Sequence, residues 1–250
     1  MSERVDARAL LGRYLRQRAE LGEAELILDR HAAADLLDLL ARTPVEAAAG
    51  APAPGVPAEE LVQLGSLDAL REVALGCPRC RLAETRMHVV FGEGNPQAEL
   101  MVVGEAPGAD EDRSGRPFVG RAGKLLDLLL ASVGFAREQV YICNVLKCRP
   151  PQNRNPQPDE VEACSPYLRG QIELIAPRAI LACGTFAAQT LLASSVSIGK
   201  LRGGAHAYHG VPLVATYHPA ALLRNPAWVR PVWEDLQRLR GLLAETRAAA

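Results

Sequence analysis

The sequence lacks three features that would place the protein in large functional classes. No apolar run approaches the ~20 residues that a helix needs to cross a bilayer. The N-terminal stretch has no apolar core followed by a cleavage site, so a secretory signal is not indicated. Neither G-x-G-x-x-G nor G-x-x-x-x-G-K-S/T occurs, so neither dinucleotide nor nucleoside-triphosphate binding is signalled. We therefore expect a cytoplasmic protein without a membrane partner.

Lysine is scarce, and arginine carries most of the positive charge. The chain holds 28 Lys and Arg against 29 Asp and Glu, and its only lysines are Lys124, Lys147 and Lys200. Residues 1–76 have 8 basic and 13 acidic side chains, a net charge of −5, whereas residues 77–250 have 20 and 16, a net charge of +4. An arginine-rich domain is compatible with phosphate contacts, because the guanidinium fork matches phosphate oxygens. The excess is too small to establish nucleic-acid binding by itself.

Composition divides the chain into three segments. Residues 1–42 carry two apolar stripes at helical spacing and no residues that suggest chemistry. We expect them to form a helical extension that serves as an accessory or docking element for a protein partner. Residues 43–58 form an Ala/Pro/Gly linker without a packing face. Residues 59–250 remain, and we expect them to form the principal domain.

From Leu100 onward, apolar strand patterns alternate with helical ones. Strands are predicted at 100–103, 140–145, 179–183 and 211–217, and helices at 121–133, 158–175, 185–192 and 226–246. A helix after Ser66 and a strand over Val89–Phe91 are predicted ahead of them. Alternating strands and helices indicate right-handed βαβ units. We therefore predict an α/β fold with three αβα layers around a central, mostly parallel, four-stranded sheet.

Polar or small residues follow each predicted strand. Gly104 and Glu105 follow the first strand, Asn144 ends the second, Cys183 ends the third, and His218 follows the fourth. Because the carboxyl ends of parallel strands meet at one edge, this arrangement is typical of a ligand crevice. The first break is also rich in acid, and residue chemistry alone leaves it as either a ligand site or a solvated surface loop. Its four carboxylates are Glu105, Asp110, Glu111 and Asp112.

Four of the six cysteines form a pattern that suits metal ligation. Cys77 and Cys80 make a C-x2-C pair, and Cys148 and Cys164 flank a loop rich in Pro and Asn. Disulfides are not expected in a cytoplasmic chain. Both Zn²⁺ and a [4Fe–4S] cluster accept four thiolates, and the spacing leaves both open, along with four unligated cysteines. The other two, Cys143 and Cys183, lie in apolar strands, where cysteine behaves as a small hydrophobic residue.

Four separated motifs together resemble the iron–sulfur (family 4) uracil-DNA glycosylases. They are C-P-R-C from Cys77, GEAPGADEDRSGRPFVGRAG from Gly104, NVLKCRPPQNRNPQPDE from Asn144 and YHPAALLRNP from Tyr217. The resemblance covers residues 66–246 and leaves the first 58 outside. It implies a uracil-DNA glycosylase-like fold that acts on uracil-containing DNA. It also implies a [4Fe–4S] cluster held by Cys77, Cys80, Cys148 and Cys164.

The implied activity requires that uracil is flipped out of the duplex, stacked on a flat side chain and read on its Watson–Crick edge. By resemblance, Phe118 is the stacking platform and Asn144 is the reader, because an amide can donate to uracil O4 and accept from N3–H. Ala106 is implied to offer backbone N–H contacts, and Glu105 to border the uracil and exclude the methyl group of thymine. Hydrolysis would release free uracil and leave an abasic site.

The resemblance also implies the groups that drive bond cleavage. Negative charge develops on the departing uracil, largely at O2, and His218 is implied to stabilise it by donating a hydrogen bond. Glu111 is expected to orient the attacking water, with Glu105 as the second catalytic carboxylate, whereas Asp110 and Asp112 are expected to be solvated. The DNA contacts implied are an apolar wedge and a phosphate contact. Leu222 and Leu223 are the candidates for the wedge, and Arg224 is the candidate for the phosphate contact.

The sequence leaves two other interpretations. A sister family that bonds covalently to uracil-containing DNA carries a basic, histidine-containing insertion near the second cysteine pair, but this chain has PPQNRNPQP there. A DNA- or partner-binding module cross-linked by zinc, without catalysis, is the alternative from a different class. No motif lysine accompanies the site residues, which argues against an imine-forming lyase. The sequence therefore predicts a monomeric, monofunctional DNA N-glycosylase.

Overall fold

The computed structural model describes residue 61 and residues 64–248 of the 250-residue chain. The predicted extension at 1–42 and the linker at 43–58 lie outside the described residues. In the described part, no helix combines the length and the apolar character that a membrane span requires.

A six-stranded mixed sheet forms the centre of the fold. In the order β1-β3-β2-β4-β6-β5, its four central strands are parallel and its two edge strands are antiparallel. The strands are β1 (Glu93–Gly94), β2 (Leu100–Gly104), β3 (Tyr141–Asn144), β4 (Ala179–Cys183), β5 (His206–Tyr208) and β6 (Val211–Thr216). Every residue of β2, β3 and β4 is buried, as expected for parallel strands that are covered on both faces.

Helices cover both faces of this sheet. They are α1 (Leu67–Leu75), α2 (Ala109–Ser114), α3 (Arg121–Ala131), α4 (Pro158–Ile175), α5 (Thr185–Leu192), α6 (Ile198–Leu201), α7 (Pro219–Arg224) and α8 (Val229–Ala248). Alternate residues of β2 enter different cores: Met101 packs with residues of α1, α4 and α5, whereas Leu100 packs with residues of α3 and α8. The predicted α/β fold with three layers is therefore confirmed.

Three local predictions were wrong. The sheet has six strands rather than four, because the edge strands β1 and β5 are too short to show a hydrophobic alternation. Val89–Phe91 is buried but lies outside the sheet, where Val90 N–H donates to the carbonyl of Lys147 at 2.7 Å. The final helix is preceded by a separate 3₁₀ turn at Pro226–Trp228.

Candidate active site

A cleft of about 430 Å³ opens at the carboxyl edge of the sheet. It is bounded by the segments that follow β2, β3 and β6, where the sequence predicts a ligand crevice. Its lining contains Glu105, Ala106, Glu111, Phe118, Asn144, His218 and Arg224 among the predicted site residues. The structure therefore brings together all the predicted uracil-binding side chains.

Phe118 lies in a strained turn at one wall of the cleft. Its φ of 50° is a left-handed value that bulky residues rarely adopt. Two side chains hold the turn. Glu111 Oε1 accepts hydrogen bonds from the N–H groups of Val119 and Gly120 at 2.9 and 3.0 Å, and the Arg137 guanidinium donates to the Phe118 carbonyl at 3.2 Å. The aromatic ring is thereby fixed before any ligand binds.

Gly104 allows Phe118 and Asn144 to approach one another. A Cβ at position 104 would overlap both Asn144 Oδ1 and the Phe118 ring. Gly104 pairs with Asn144 across β2 and β3, so the two strand ends place the aromatic ring and the amide side by side. Gly123 serves the same turn from α3, since a Cβ there would overlap the Phe118 carbonyl.

The amide of Asn144 is buried yet makes no hydrogen bond within the part of the chain that the structure describes. Asn144 is 2 % exposed and ends β3 in the cleft lining. Buried amides are almost always paired, because an unsatisfied donor or acceptor costs about 1–3 kcal/mol. An unpaired amide that borders a cleft is therefore a candidate to bind a polar ligand.

His218 presents a defined tautomer to the same cleft. Its Nδ1 accepts a hydrogen bond from the Ala220 N–H at 3.1 Å, so in the neutral ring the proton lies on Nε2. Burial and, to a smaller extent, the Arg224 guanidinium lower the pKa of His218 to about 4, although Glu111 opposes the shift. The imidazole is therefore neutral at pH 7 and donates through Nε2. Its ring stacks against Phe118 with centroids 5.4 Å apart, so no base fits between the two rings.

The acidic segment is not the loop that the sequence predicts. It forms the short helix α2, which begins after Gly108 and ends at the left-handed Gly115. Glu111 Oε2 accepts from the Gly108 N–H at 3.1 Å, so this carboxylate receives three backbone N–H groups in all. Glu111 Oε2 accepts only one of these bonds, so it can accept a second hydrogen bond from a water molecule.

The other carboxylates of this segment differ in environment. Glu105 lines the cleft, its carboxylate has no hydrogen-bond partner among the described residues, and burial raises the pKa of this carboxyl group. Asp110 is exposed and pairs with Arg113 at 3.1 Å. The predicted solvation of Asp112 is wrong, because it is buried and accepts from the Met87 N–H at 2.9 Å.

The predicted wedge residues separate into one buried and one exposed side chain. Leu222 is 2 % exposed and packs in the core beneath α7, so a direct contact with DNA is not available to it. Leu223 is 46 % exposed. Arg224 is exposed and lines the cleft.

Four cysteines, Cys77, Cys80, Cys148 and Cys164, line one pocket on another part of the domain. Two sulfurs accept hydrogen bonds of 3.3 Å, Cys148 from Arg86 and Cys164 from the Lys147 N–H. Burial raises the pKa of Cys148 to about 11 and of Cys164 to about 12, so the metal-free thiols are protonated at pH 7. Within the described residues, no three His, Cys, Asp or Glu side chains form a set for a single metal ion.

Several cleft residues were missed by sequence reasoning. Asn153 and Arg154 also line the cleft, in the loop between Cys148 and Cys164. Their signal was present, since this loop follows the strand that ends in Asn144. Arg137 carried no signal, because its contacts with Glu93 and the Phe118 turn join positions that are distant in the chain. In the described chain no lysine lines the cleft.

Comparison with known proteins shows which proteins this chain is similar to. Residues 91–237 match the model of the uracil DNA glycosylase superfamily. A type-4 uracil-DNA glycosylase of Archaeoglobus fulgidus is 47% identical over 182 residues, which cover 70% of this chain and 92% of that protein. One from Thermotoga maritima is 44% identical over 189 residues, covering 74% and 96%. A type-5 uracil-DNA glycosylase of Thermus thermophilus is 34% identical over 149 residues, covering 52% and 68%.

Proposed function

The chain belongs to the uracil DNA glycosylase superfamily, and we propose that it flips uracil out of DNA into the cleft beside Phe118 and hydrolyses the N-glycosidic bond. The observation that carries this assignment to the cleft is the buried, unpaired amide of Asn144. Free uracil and an abasic site are the products, and the chemistry is that of a monofunctional DNA N-glycosylase in base excision repair.

Asn144 selects uracil over cytosine. Its amide donates to uracil O4 and accepts from N3–H, and cytosine reverses the polarity at both positions. A mismatch would leave the buried amide unpaired, which disfavours the wrong base by roughly 1–3 kcal/mol. Ala106 supports the base from the opposite segment, since its backbone N–H donates to no group in the described chain.

Phe118 supplies the surface on which the uracil ring stacks. Because its ring already contacts His218, the base stacks beside the imidazole and not between the two rings. Glu105 borders this position, where a half-buried carboxylate without a partner excludes the methyl group of thymine.

His218 stabilises the departing uracil. Its neutral Nε2–H donates to O2, where negative charge develops as the glycosidic bond breaks. The donor is oriented in advance by the hydrogen bond between Nδ1 and Ala220, so little reorganisation accompanies the reaction. Glu111 and Glu105 stabilise the developing positive charge on the sugar, and Glu111 orients the attacking water through the open position on Oε2.

Leu223 and Arg224 contact the DNA. Leu223 is the exposed apolar side chain next to the cleft and fills the space that the flipped nucleotide leaves. Arg224 pairs with a phosphate beside that space. The cytoplasmic location, the monomeric state and a protein partner for residues 1–42 stay predictions.

The four clustered cysteines fit a [4Fe–4S] cluster better than a single zinc ion. One Zn²⁺ draws four sulfurs to about 2.3 Å from a common centre, and no such convergence exists among the described residues. Thiolates of a cubane each bind a different iron, so they stand farther apart. The N–H groups of Arg86 and Lys147 that reach two of the sulfurs are typical partners of cluster ligands. When bound, the cluster would cross-link the C-x2-C segment to both ends of the 148–164 loop.

The test is uracil release from a synthetic oligonucleotide. The wild-type protein should liberate free uracil from a U·G pair and leave cytosine and thymine at the same position intact. Hypoxanthine in the same sequence tests for wider specificity. A protein that binds this DNA but releases no base would refute the proposed function. A covalent adduct that survives denaturation would favour the sister family instead.

A further inference from the structure

A fully buried lysine lies between the cysteine pocket and Asn144. Lys147 is 2 % exposed and lines the pocket formed by the four cysteines. Its two fellow lysines, Lys124 and Lys200, are both exposed. In a chain with 28 Lys and Arg of which only three are lysines, a lysine at this buried position requires an explanation.

The Lys147 ammonium has acceptors, but none of them is a carboxylate in the described part of the chain. Nζ donates to the Asn144 carbonyl at 2.7 Å and to Gln171 Oε1 at 2.6 Å. The Lys147 ammonium also lowers the pKa of the Cys143 thiol, against the larger effect of burial, which raises it. Lys147 does not line the cleft, so its amine is not placed to act there as a nucleophile.

The ammonium has hydrogen-bond acceptors in the described chain, but no carboxylate among them balances its positive charge. Burying an ammonium without an anion is destabilising, even when neutral acceptors surround it. Four thiolates on a cubane give the cluster a net negative charge in its usual oxidation states. The backbone N–H of the same residue donates to the sulfur of Cys164 at 3.3 Å. The cluster would therefore supply the missing counter-charge.

Lys147 also reaches the base-reading end of β3. The carbonyl that accepts from Nζ belongs to Asn144, the residue whose side-chain amide faces the cleft. On the far side, Gln171 of α4 accepts from Nζ and donates to the Phe91 carbonyl and to Tyr141 Oη at 2.8 and 3.1 Å. One side chain thus links the cysteine pocket, α4 and the strand that carries the reader.

We propose that Lys147 is the buried counter-charge of the cluster and the positioning residue that fixes the backbone of Asn144. This inference rests on the cluster proposed above. A cation next to the cluster favours its reduced form, because reduction adds negative charge there. A donor on the Asn144 carbonyl holds the adjacent amide in register with O4 and N3–H of the bound uracil.

Three substitutions separate charge from hydrogen bonding in the full-length protein. Lys147→Met removes both, Lys147→Gln removes the charge but keeps an N–H donor, and Lys147→Arg keeps the charge. Iron content, the reduction potential of the cluster and the single-turnover rate of uracil release are measured for each. Lys200→Met makes the same change in charge on the surface and serves as the control for the potential.

We expect the reduction potential to be more negative in Lys147→Met and Lys147→Gln than in the wild type and in Lys200→Met. Uracil release should fall roughly 10- to 100-fold in Lys147→Met, and less in Lys147→Gln, because the latter can still donate to the Asn144 carbonyl. Iron loss from both neutral variants, with iron retained by Lys147→Arg, would equally support the counter-charge.

Several outcomes would overturn the inference. An unchanged potential in the neutral variants that retain iron removes the counter-charge role, and unchanged uracil release removes the positioning role. Loss of iron from all three variants means that Lys147 serves only packing. A wild-type protein that contains no iron refutes the cluster itself, and this is seen before any variant is made.

Discussion

At the scale of single residues, catalysis depends on an imidazole whose protonation state is set by its surroundings. A histidine exposed to water would be partly charged near pH 6.5. His218 instead accepts from the Ala220 N–H through Nδ1, and burial lowers its pKa to about 4. The protein therefore holds a neutral donor beside the leaving group across the physiological range, and protonation would break the bond that orients it.

We expect ¹⁵N NMR of the imidazole to show the neutral Nε2–H tautomer of His218 at pH 7, with a titration midpoint near pH 4. The folded pKa lies below the unfolded value of about 6.5, so protonation opposes folding. The His218 contribution to stability is thus lost progressively as the pH falls from 6.5 towards 4. A midpoint near 6.5 would contradict the burial-based assignment.

Replacement of this side chain should affect rate far more than binding. His218→Ala is expected to lower the single-turnover rate of uracil release by roughly 100- to 1,000-fold, the loss typical of one oxyanion donor. Affinity for uracil-containing DNA should change little, because the donor acts mainly as charge develops. A rate within threefold of the wild type would return His218 to a structural role.

Asn144 contributes through recognition of the base. Asn144→Ala removes both hydrogen bonds to uracil, and we expect uracil release to fall at least about 100-fold, which corresponds to nearly 3 kcal/mol. Folding and iron content should be retained, because no described residue depends on that side chain. Asn95→Ala, in a surface turn away from the cleft, is the matched control. Equal rates in the two variants would remove Asn144 from the site.

At the scale of elements, the site is formed where β2, α2 and α3 converge on the Phe118 turn. The turn stores strain at Phe118 and is held from opposite sides by Glu111 and Arg137. Arg137 also bonds Glu93 of β1 and Asp127 of α3. The edge strand that sequence reasoning missed therefore helps to anchor the stacking platform.

Gly104→Ala tests this convergence directly. The added Cβ would overlap both the Phe118 ring and the Asn144 amide, so one or both must move. A displacement of about 1 Å at a reacting centre costs about 100-fold in rate, and we expect a loss of that order in uracil release. Gly241→Ala is the control, since a Cβ there meets no atom within 4 Å. Wild-type rates for Gly104→Ala would show that the two side chains are not held by close packing.

The parts of the structure that depend on interactions between residues close in the chain were predicted from the sequence, and those that depend on distant contacts were not. The central strands and α4 are found within one or two residues of their predicted bounds, because buried apolar runs, Pro158 and the periodicity of the helix are local signals. Helix α2 escaped prediction because its start depends on Glu111 accepting the Gly108 N–H and its end on a left-handed Gly115. The roles of Gly104 and Arg137 rest on contacts across strands and turns, which no local pattern contains.

At the scale of the whole molecule, two parts of the cleft lining are supported by different means. The Phe118 wall is held by Glu111 and Arg137. A second part of the lining is the loop bearing Asn153 and Arg154, with Cys148 at one end and Cys164 at the other. Its contacts with the C-x2-C segment and the residue after it include the Arg79 bond to the Ala163 carbonyl and the ion pairs of Arg81 with Asp159 and Glu160. The Arg81–Asp159 pair is exposed and therefore weak. The proposed cluster would add a direct connection between the two segments.

Removal of iron should therefore increase the mobility of the 148–164 loop and leave the Phe118 turn unchanged. In the chelated protein we expect faster amide hydrogen exchange across residues 148–164, a lower melting temperature and slower uracil release. Exchange in the Phe118 turn should stay unchanged, because its hydrogen bonds do not involve the cysteines. A sample carried through the same treatment without chelator is the control. Uniform loss of protection would instead indicate global unfolding, and unchanged exchange at 148–164 would show that Arg154–Glu160 and the surrounding packing hold the loop without iron.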